Sequence, residues 1–190
     1  MVSRRNMLKT GLTAVFGACA VQTASASEVQ QKSQNNFDVV ILGAGTGGLV
    51  TAIEAADLGL KPVVLEKMEC SAGNSLYASG GIAAWGTSQQ KEEGRNETKE
   101  SFREDMMKVS EYRADPALVG AYVNHIPEDF EWLKKQGVKF SKIGKKPWPL
   151  NYRMHNVDGQ GLTGGARLVR YLLEACEKRN IPIIYNTKAI

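Results

Sequence analysis

The residues of this chain whose types and spacing carry chemistry are Gly43-Ala44-Gly45-Thr46-Gly47-Gly48 and, about twenty positions on, Glu66. In a glycine turn of this form Gly43 lets the chain reverse where a side chain would clash. Gly45 lets a pyrophosphate come up to the backbone, and Gly48 lets a helix pack close to a strand. The first amides of the following helix, with the positive end of its dipole, favour phosphate. A carboxylate placed as Glu66 is accepts hydrogen bonds from ribose hydroxyls. The pattern predicts a bound dinucleotide at Gly43, Gly45, Gly48 and Glu66.

Such a turn works only between the right elements. Phe37 to Leu42 reads as a buried strand, and Leu49, Val50, Ala52, Ile53, Ala56 and Leu58 have the spacing of a helix packed on a sheet. Gly59 stops that helix and Pro62 opens the strand that ends at Glu66. The alternative, a glycine loop that binds nothing, is disfavoured by this context. A loop rich in Gly and Ser follows from Cys70 to Gly81. Thr98 to Tyr112 has an amphipathic helical pattern with Phe102, Met106 and Val109 on one face. Asp115-Pro116 is a helix start, with Leu118, Val119, Tyr122 and Val123 as its buried stripe. Pro127 is expected to break or restart that helix. Phe130, Trp132 and Leu133 then continue a third one to Lys134-Lys135-Gln136-Gly137. A short strand is expected at Val138 to Phe140 and a long irregular segment at Ser141 to Gly164. A helix opens at Thr163-Gly164-Gly165 and runs through Arg179, before a strand at Ile181 to Tyr185.

At 190 residues there is material for one domain with a sizeable core, and 24 Lys plus Arg against 20 Asp plus Glu is too mild a balance to argue for nucleic acid or an acidic membrane surface. Ser3-Arg4-Arg5-Asn6-Met7-Leu8-Lys9, a weakly apolar stretch from Gly11 to Val21 and Ala24-Ser25-Ala26 resemble a twin-arginine export signal with its cleavage site. Residues 1–26 are therefore expected to be removed on export to a periplasm, leaving a mature chain with no membrane span. A polar tether at residues 27–36 would follow. Cleavage removes Cys19, so Cys70 and Cys176 remain; they could pair in an oxidising compartment but show no metal-ligand spacing, and they read as ordinary thiols. No CxxCH run is present, so the sequence carries no c-type haem attachment site.

The glycine turn, Glu66, the loop Gly73-Asn74-Ser75-Leu76-Tyr77-Ala78-Ser79-Gly80-Gly81-Ile82, Trp85, Gln89-Gln90 and Thr163-Gly164-Gly165 together resemble one family. It is the flavoprotein family of fumarate reductases and succinate dehydrogenases, with the nearer likeness to soluble periplasmic fumarate reductases of the flavocytochrome c type. The resemblance implies an α/β, Rossmann-like FAD-binding domain of the glutathione-reductase type. It would be incomplete, with inserted helices, over residues 37–190, the capping domain and C-terminal part lying beyond the sequence. It implies that Gly43, Ala44, Gly45, Gly47 and Gly48 line the FAD pyrophosphate. Glu66 would bind the adenosine ribose with the Lys67 backbone nearby, Asn74 and Ser75 would reach the pyrophosphate and ribityl side, and Gly80 and Gly81 would lie against the flavin ring. Asn74 stands where the membrane-bound branch has a histidine that carries FAD covalently, so the FAD is expected to be noncovalent.

The implied reaction is hydride transfer from flavin N5 to the activated C=C bond of a small unsaturated, fumarate-like carboxylic acid. The electron donor could be a separate cytochrome, and no catalytic proton donor is identified. Two other readings stay open: a short, non-catalytic flavin-binding chain, and an NAD-binding domain. Arg153 and His155 resemble a pair in the same loop of the soluble reductases and read either as substrate or flavin contacts or as a surface loop. His125 at a helix end reads as structural. Lys145-Lys146-Pro147-Trp148-Pro149 reads as a solvated loop.

Overall fold

The computed structural model describes residues 36–71, 73–145, 152–159 and 163–190, with the side chains of 144, 145 and 152 excepted. The expected export signal, the tether up to Asn35 and the run 146–149 lie outside the described residues.

The first unit is a parallel crossover. β1 (Val39–Leu42) leads through the glycine turn into α1 (Thr46–Asp57), and β2 (Pro62–Leu65) returns parallel to β1 with Val39 opposite Pro62 and Leu42 opposite Leu65. Gly59, at φ +84°, turns the chain after α1, as a glycine beyond a helix C-terminus does. The two central valines of β2 are buried, as parallel strands demand.

Gly73–Tyr77 forms a turn of 3-10 helix, and β3 (Gly81–Ala83) follows. Thr87 caps α2 (Ser88–Glu92) in a capping box with Gln90. Thr98 caps α3 (Lys99–Val109), and Asp115 caps α4 (Pro116–Lys135) by accepting from the Ala117 amide. α4 is one continuous helix with Pro127 inside it, so the expected break there does not occur. Its buried residues are Val119, Val123, Ile126 and Phe130, whereas Leu118, expected in the stripe, is exposed.

The segment expected to be irregular contains β4 (Gly144–Lys145) and β5 (Tyr152–Asn156). β5 is the centre of an antiparallel sheet of order β3-β5-β4. Val138 to Phe140 is not a strand; Phe140 makes only an isolated bridge to Val157. Thr163 caps α5 (Gly164–Lys178), and β6 (Ile183–Ile184) closes a parallel sheet of order β1-β2-β6.

Ile41 and Val64 from that sheet, Leu49, Ala52 and Ile53 from α1, and Val169, Leu172, Ala175 and Cys176 from α5 form the main core. Fully burying a side chain such as Leu49 or Leu172 stabilises by about 1.5–3 kcal/mol. A second cluster joins Ala84 to Phe102 of α3 and to Val119, Val123 and Ile126 of α4. Cys70 is exposed and Cys176 buried, both as free thiols, and burial pushes the Cys176 thiol up to about 11.

Candidate functional site

The carboxyl ends of β1 and β2 meet where the glycine turn begins, which is where open parallel sheets hold their ligands. The Gly43 amide donates to the Leu65 carbonyl (2.8 Å), pinning the turn to the end of β2. The next residue along β2 is Glu66, which is buried. Its carboxylate accepts from the amides of Ala44 (2.7 Å) and Met68 (2.9 Å), and these bonds, the Ala44 one foremost, hold its pKa below the usual glutamate range. A carboxylate offers about four lone-pair positions, so two amides leave it further acceptor capacity. Lys67, next in the chain, is exposed.

The glycines separate by role. A Cβ on Gly48 would fall on the carbonyl of Gly43, so this glycine is needed for α1 to start where it does. A Cβ on Gly47 would meet nothing within 4 Å. Gly45 is the N-cap of α1 and has no side chain to satisfy the first amides of the helix. What covers them in part comes from the 3-10 turn: Ser75 Oγ accepts from both the hydroxyl (2.7 Å) and the amide (3.3 Å) of Thr46. Thr46 was not among the residues expected in the site. Its place between the glycines was the available signal.

The start of α5 anchors the same turn. The Thr163 hydroxyl donates to the Leu76 carbonyl (2.6 Å) and the Gly165 amide to the Ala78 carbonyl (2.9 Å). A Cβ on Gly165 would sit on the Ser75 carbonyl, and one on Gly80, at φ +77°, would sit on the backbone of Gly164. Thr163-Gly164-Gly165 and Gly80 are thus two backbones in direct contact. Gly81 opens β3 opposite Asn156, and Asn74 is exposed at the turn. Ala44, Gly45, Thr46, Glu66 and Ser75 are brought together around the helix start; Gly80 and Gly81 lie further along the same turn.

Arg153 and His155 do not occupy a surface loop. Both are on β5 and buried, at 2% and 0% exposure. Burial works against the Arg153 charge, but Glu97 and then Asp105 outweigh it and raise its pKa. The guanidinium pairs with Glu97 and with Asp105 (2.7 Å) and lies 5.1 Å from the centre of the Phe102 ring. Its Nη1 is buried and has no hydrogen-bond partner among the described residues. His155 Nδ1 meets the Arg153 carbonyl (2.8 Å), and Nε2 meets the Thr87 hydroxyl (2.9 Å). Phe130 packs on the ring, and burial holds the imidazole below its usual pKa, hence neutral. Glu97, Asp105 and Thr87 were not anticipated, because they reach β5 from α2, α3 and their flanks. His125 is exposed on α4.

Among the described residues no group of three or more His, Cys, Asp or Glu side chains could hold a metal ion, and no helix is long and apolar enough to cross a membrane. The donor set does fit the diphosphate and ribose of a dinucleotide: open space at Gly47, helix-start amides that Gly45 leaves uncapped and Ser75 covers only at Thr46, and a buried carboxylate with acceptor capacity to spare. Fold and site together define a Rossmann-like dinucleotide-binding protein.

Residues 38–190 match the protein family described as FAD binding domain, and the chain belongs to that family; its cofactor is FAD. The fumarate reductase (cytochrome) of Shewanella frigidimarina is 35% identical over 156 residues, covering 82% of this chain and 27% of that protein. The acrylate reductase flavoprotein subunit of Shewanella woodyi (strain ATCC 51908 / MS32) is 30% identical over 189 residues, covering 95% of this chain and 36% of that protein. The open conformation of a flavocytochrome c3 fumarate reductase superposes with a TM-score of 0.71 at 27% identity, covering 79% of this chain and 26% of that one. The relatives are flavocytochrome c fumarate reductases and related reductases, and the chain spans about a quarter of the length of the curated fumarate reductase.

Proposed function

We propose that the chain is the N-terminal, FAD-binding portion, over residues 37–190, of a reductase that acts on the activated C=C bond of a small unsaturated carboxylic acid. The observation that carries this reading is the glycine turn locked to Glu66 in a chain whose relatives are named fumarate and acrylate reductases. When bound, FAD supplies a hydride equivalent from N5.

The protein's own contribution is binding and orientation. Gly43, Ala44, Gly45, Gly47 and Gly48 present backbone to the pyrophosphate, and the α1 dipole favours its charge. Ser75 Oγ accepts twice from Thr46, so its own hydroxyl proton is free to donate to a phosphate oxygen. Asn74 stands beside it. Glu66, with the Lys67 backbone, takes the adenosine ribose through the acceptor capacity the two amides leave. Gly80 and Gly81 back the flavin ring. Asn74 offers no nucleophilic ring nitrogen, so the FAD is held without a covalent bond. Arg4-Arg5 and the residues after them support export by the twin-arginine route and removal of residues 1–26, with a periplasmic site of action. A separate cytochrome is the proposed electron donor, in keeping with the proposed periplasmic site of action.

The test is to purify the 190-residue chain, record its visible spectrum and precipitate it with acid. A flavin spectrum that passes entirely to the supernatant is the expected result. Flavin that stays on the polypeptide sinks the noncovalent assignment, and a colourless folded chain that binds no added FAD sinks the cofactor site. Fumarate or acrylate reduction with a reduced dye, by the flavin-loaded full-length protein, tests the substrate class. A flavin-loaded protein that reduces neither acid sinks that part alone.

A further inference from the structure

Pro127 sits in the twelfth position of a 20-residue helix, where its missing N–H leaves the carbonyl four residues back without its helical donor. That carbonyl belongs to Val123, which is fully buried, and a buried orphan carbonyl is costly. The donor comes from elsewhere: the indole Nε1–H of Trp85 reaches the Val123 carbonyl at 2.7 Å. Gly86, next to the tryptophan, lies against the proline ring, its Cβ direction ending 4.0 Å from Pro127 Cγ.

The segment that Trp85 terminates is held on β5 by the β3–β5 ladder and by the Val157 amide on the Gly80 carbonyl (3.0 Å), and further bonds hold its end. The Tyr122 hydroxyl donates to the Ala83 carbonyl (2.8 Å), the Ala84 amide to the Arg153 carbonyl (3.1 Å) and the Gln90 side chain to the Ala84 carbonyl (3.2 Å). Two of the attachments to α4 therefore come from adjacent helix residues, Tyr122 and Val123, and the second exists only because residue 127 cannot donate.

We propose that Pro127 and Trp85 form a matched lock: the proline reserves the Val123 carbonyl for the indole, and the indole fixes the Ala83–Trp85 end of the segment on α4, from which β3 runs back to Gly80 and Gly81. The flavin-facing consequence rests on the function proposed above, which sets Gly80 and Gly81 against the flavin ring. Trp85 is then a positioning residue acting through that wall.

The test is a double-mutant cycle on the full chain with Trp85→Phe and Pro127→Ala, read by hydrogen exchange at the Ala84 amide and by FAD affinity. Phenylalanine keeps a ring but has no N–H; alanine at 127 restores the helical donor to Val123. W85F alone should speed Ala84 exchange about tenfold, the effect of leaving one buried carbonyl without its donor. W85F/P127A should return to within about twofold of P127A. If W85F alone does not fold while the double variant does, the same conclusion holds. Acceleration of equal size in both backgrounds means lost packing and overturns the lock, as do unchanged exchange in W85F and failure of both variants to fold. FAD affinity should follow the same pattern. If exchange shows the coupling and FAD affinity does not move, the lock stands and the placement of the flavin against this wall fails.

Discussion

Glu66 is the side chain on which the site turns, and its pH behaviour follows from its two amide donors. The carboxylate accepts from Ala44 and Met68, so its pKa in the folded chain lies below that in the unfolded chain. A depressed folded pKa contributes stability that is complete above the unfolded glutamate value and is lost as pH falls through the folded one, that is, below about pH 4. Glu66→Gln places an amide NH2 against one of the two backbone N–H groups. It should lower stability at neutral pH by about 1–3 kcal/mol. The variant should also lose less stability than the wild type between about pH 5 and pH 3. Urea midpoints measured across that range check both; Asp57, Glu93 and Glu131 titrate in both proteins, so only the difference between them reports on Glu66. Parallel acid limbs would mean that the carboxylate is not held as described.

Among the elements, α1 with its glycines shows which signals were legible in the sequence. The strand, turn, helix and strand from Val39 to Leu65 appear where the apolar run, the glycines and Pro62 predict them, because every determinant is local, although the first strand, expected to be buried from Phe37 to Leu42, buries only Ile41. β5 was not legible: its buried positions carry Arg153 and His155, and its partner β3 lies some seventy residues earlier, so neither alternation nor proximity marks it. Pro127 was read as a break because its compensation, Trp85, is also distant in sequence. Of the candidate site's geometry, the turn and the acid at the end of the next strand were readable; the Thr46–Ser75 pair and the contact of Gly80 with Gly164 depend on elements that meet only in three dimensions.

The same element gives a discriminating substitution. Gly47 lies in the first turn of α1 with open space around its Cβ direction, so Gly47→Ala should raise the stability of the flavin-free chain by about 0.5–1 kcal/mol. If this space belongs to the pyrophosphate, the variant loses FAD affinity at the same time. Gly165→Ala, which forces a methyl against the Ser75 carbonyl, should lower both by displacing the turn, with about 1–3 kcal/mol lost from the fold. Thermal melts without flavin and FAD titrations on the two variants separate a glycine kept for the ligand from one kept for packing. A Gly47→Ala chain that is stabilised and binds FAD normally would remove Gly47 from the site.

At the scale of the whole molecule, the parallel sheet is covered by α1 and α5 on the face bearing Ile41 and Val64, while its other face, where Val63 is buried, shows the apolar side chains of its flanks to solvent. Val40 and Leu42 are 57% and 65% exposed, and Ile184, on the same face through Leu65, is 44% exposed. Parallel sheets are ordinarily covered on both faces, and among the described residues β1 pairs on one side only, with β2. An apolar face beside an unpaired strand edge is a site of association. The 190-residue chain in isolation should therefore form concentration-dependent oligomers and bind a hydrophobic dye. Val40→Lys with Leu42→Lys should reduce both without unfolding the chain, since neither side chain contributes to the core. Light scattering and dye fluorescence over a concentration series measure the two effects, with circular dichroism as the control for folding. A wild-type chain that stays monomeric and dye-silent would show that this face does not behave as exposed. Loss of the fold in the lysine variant would show that Val40 and Leu42 are packed.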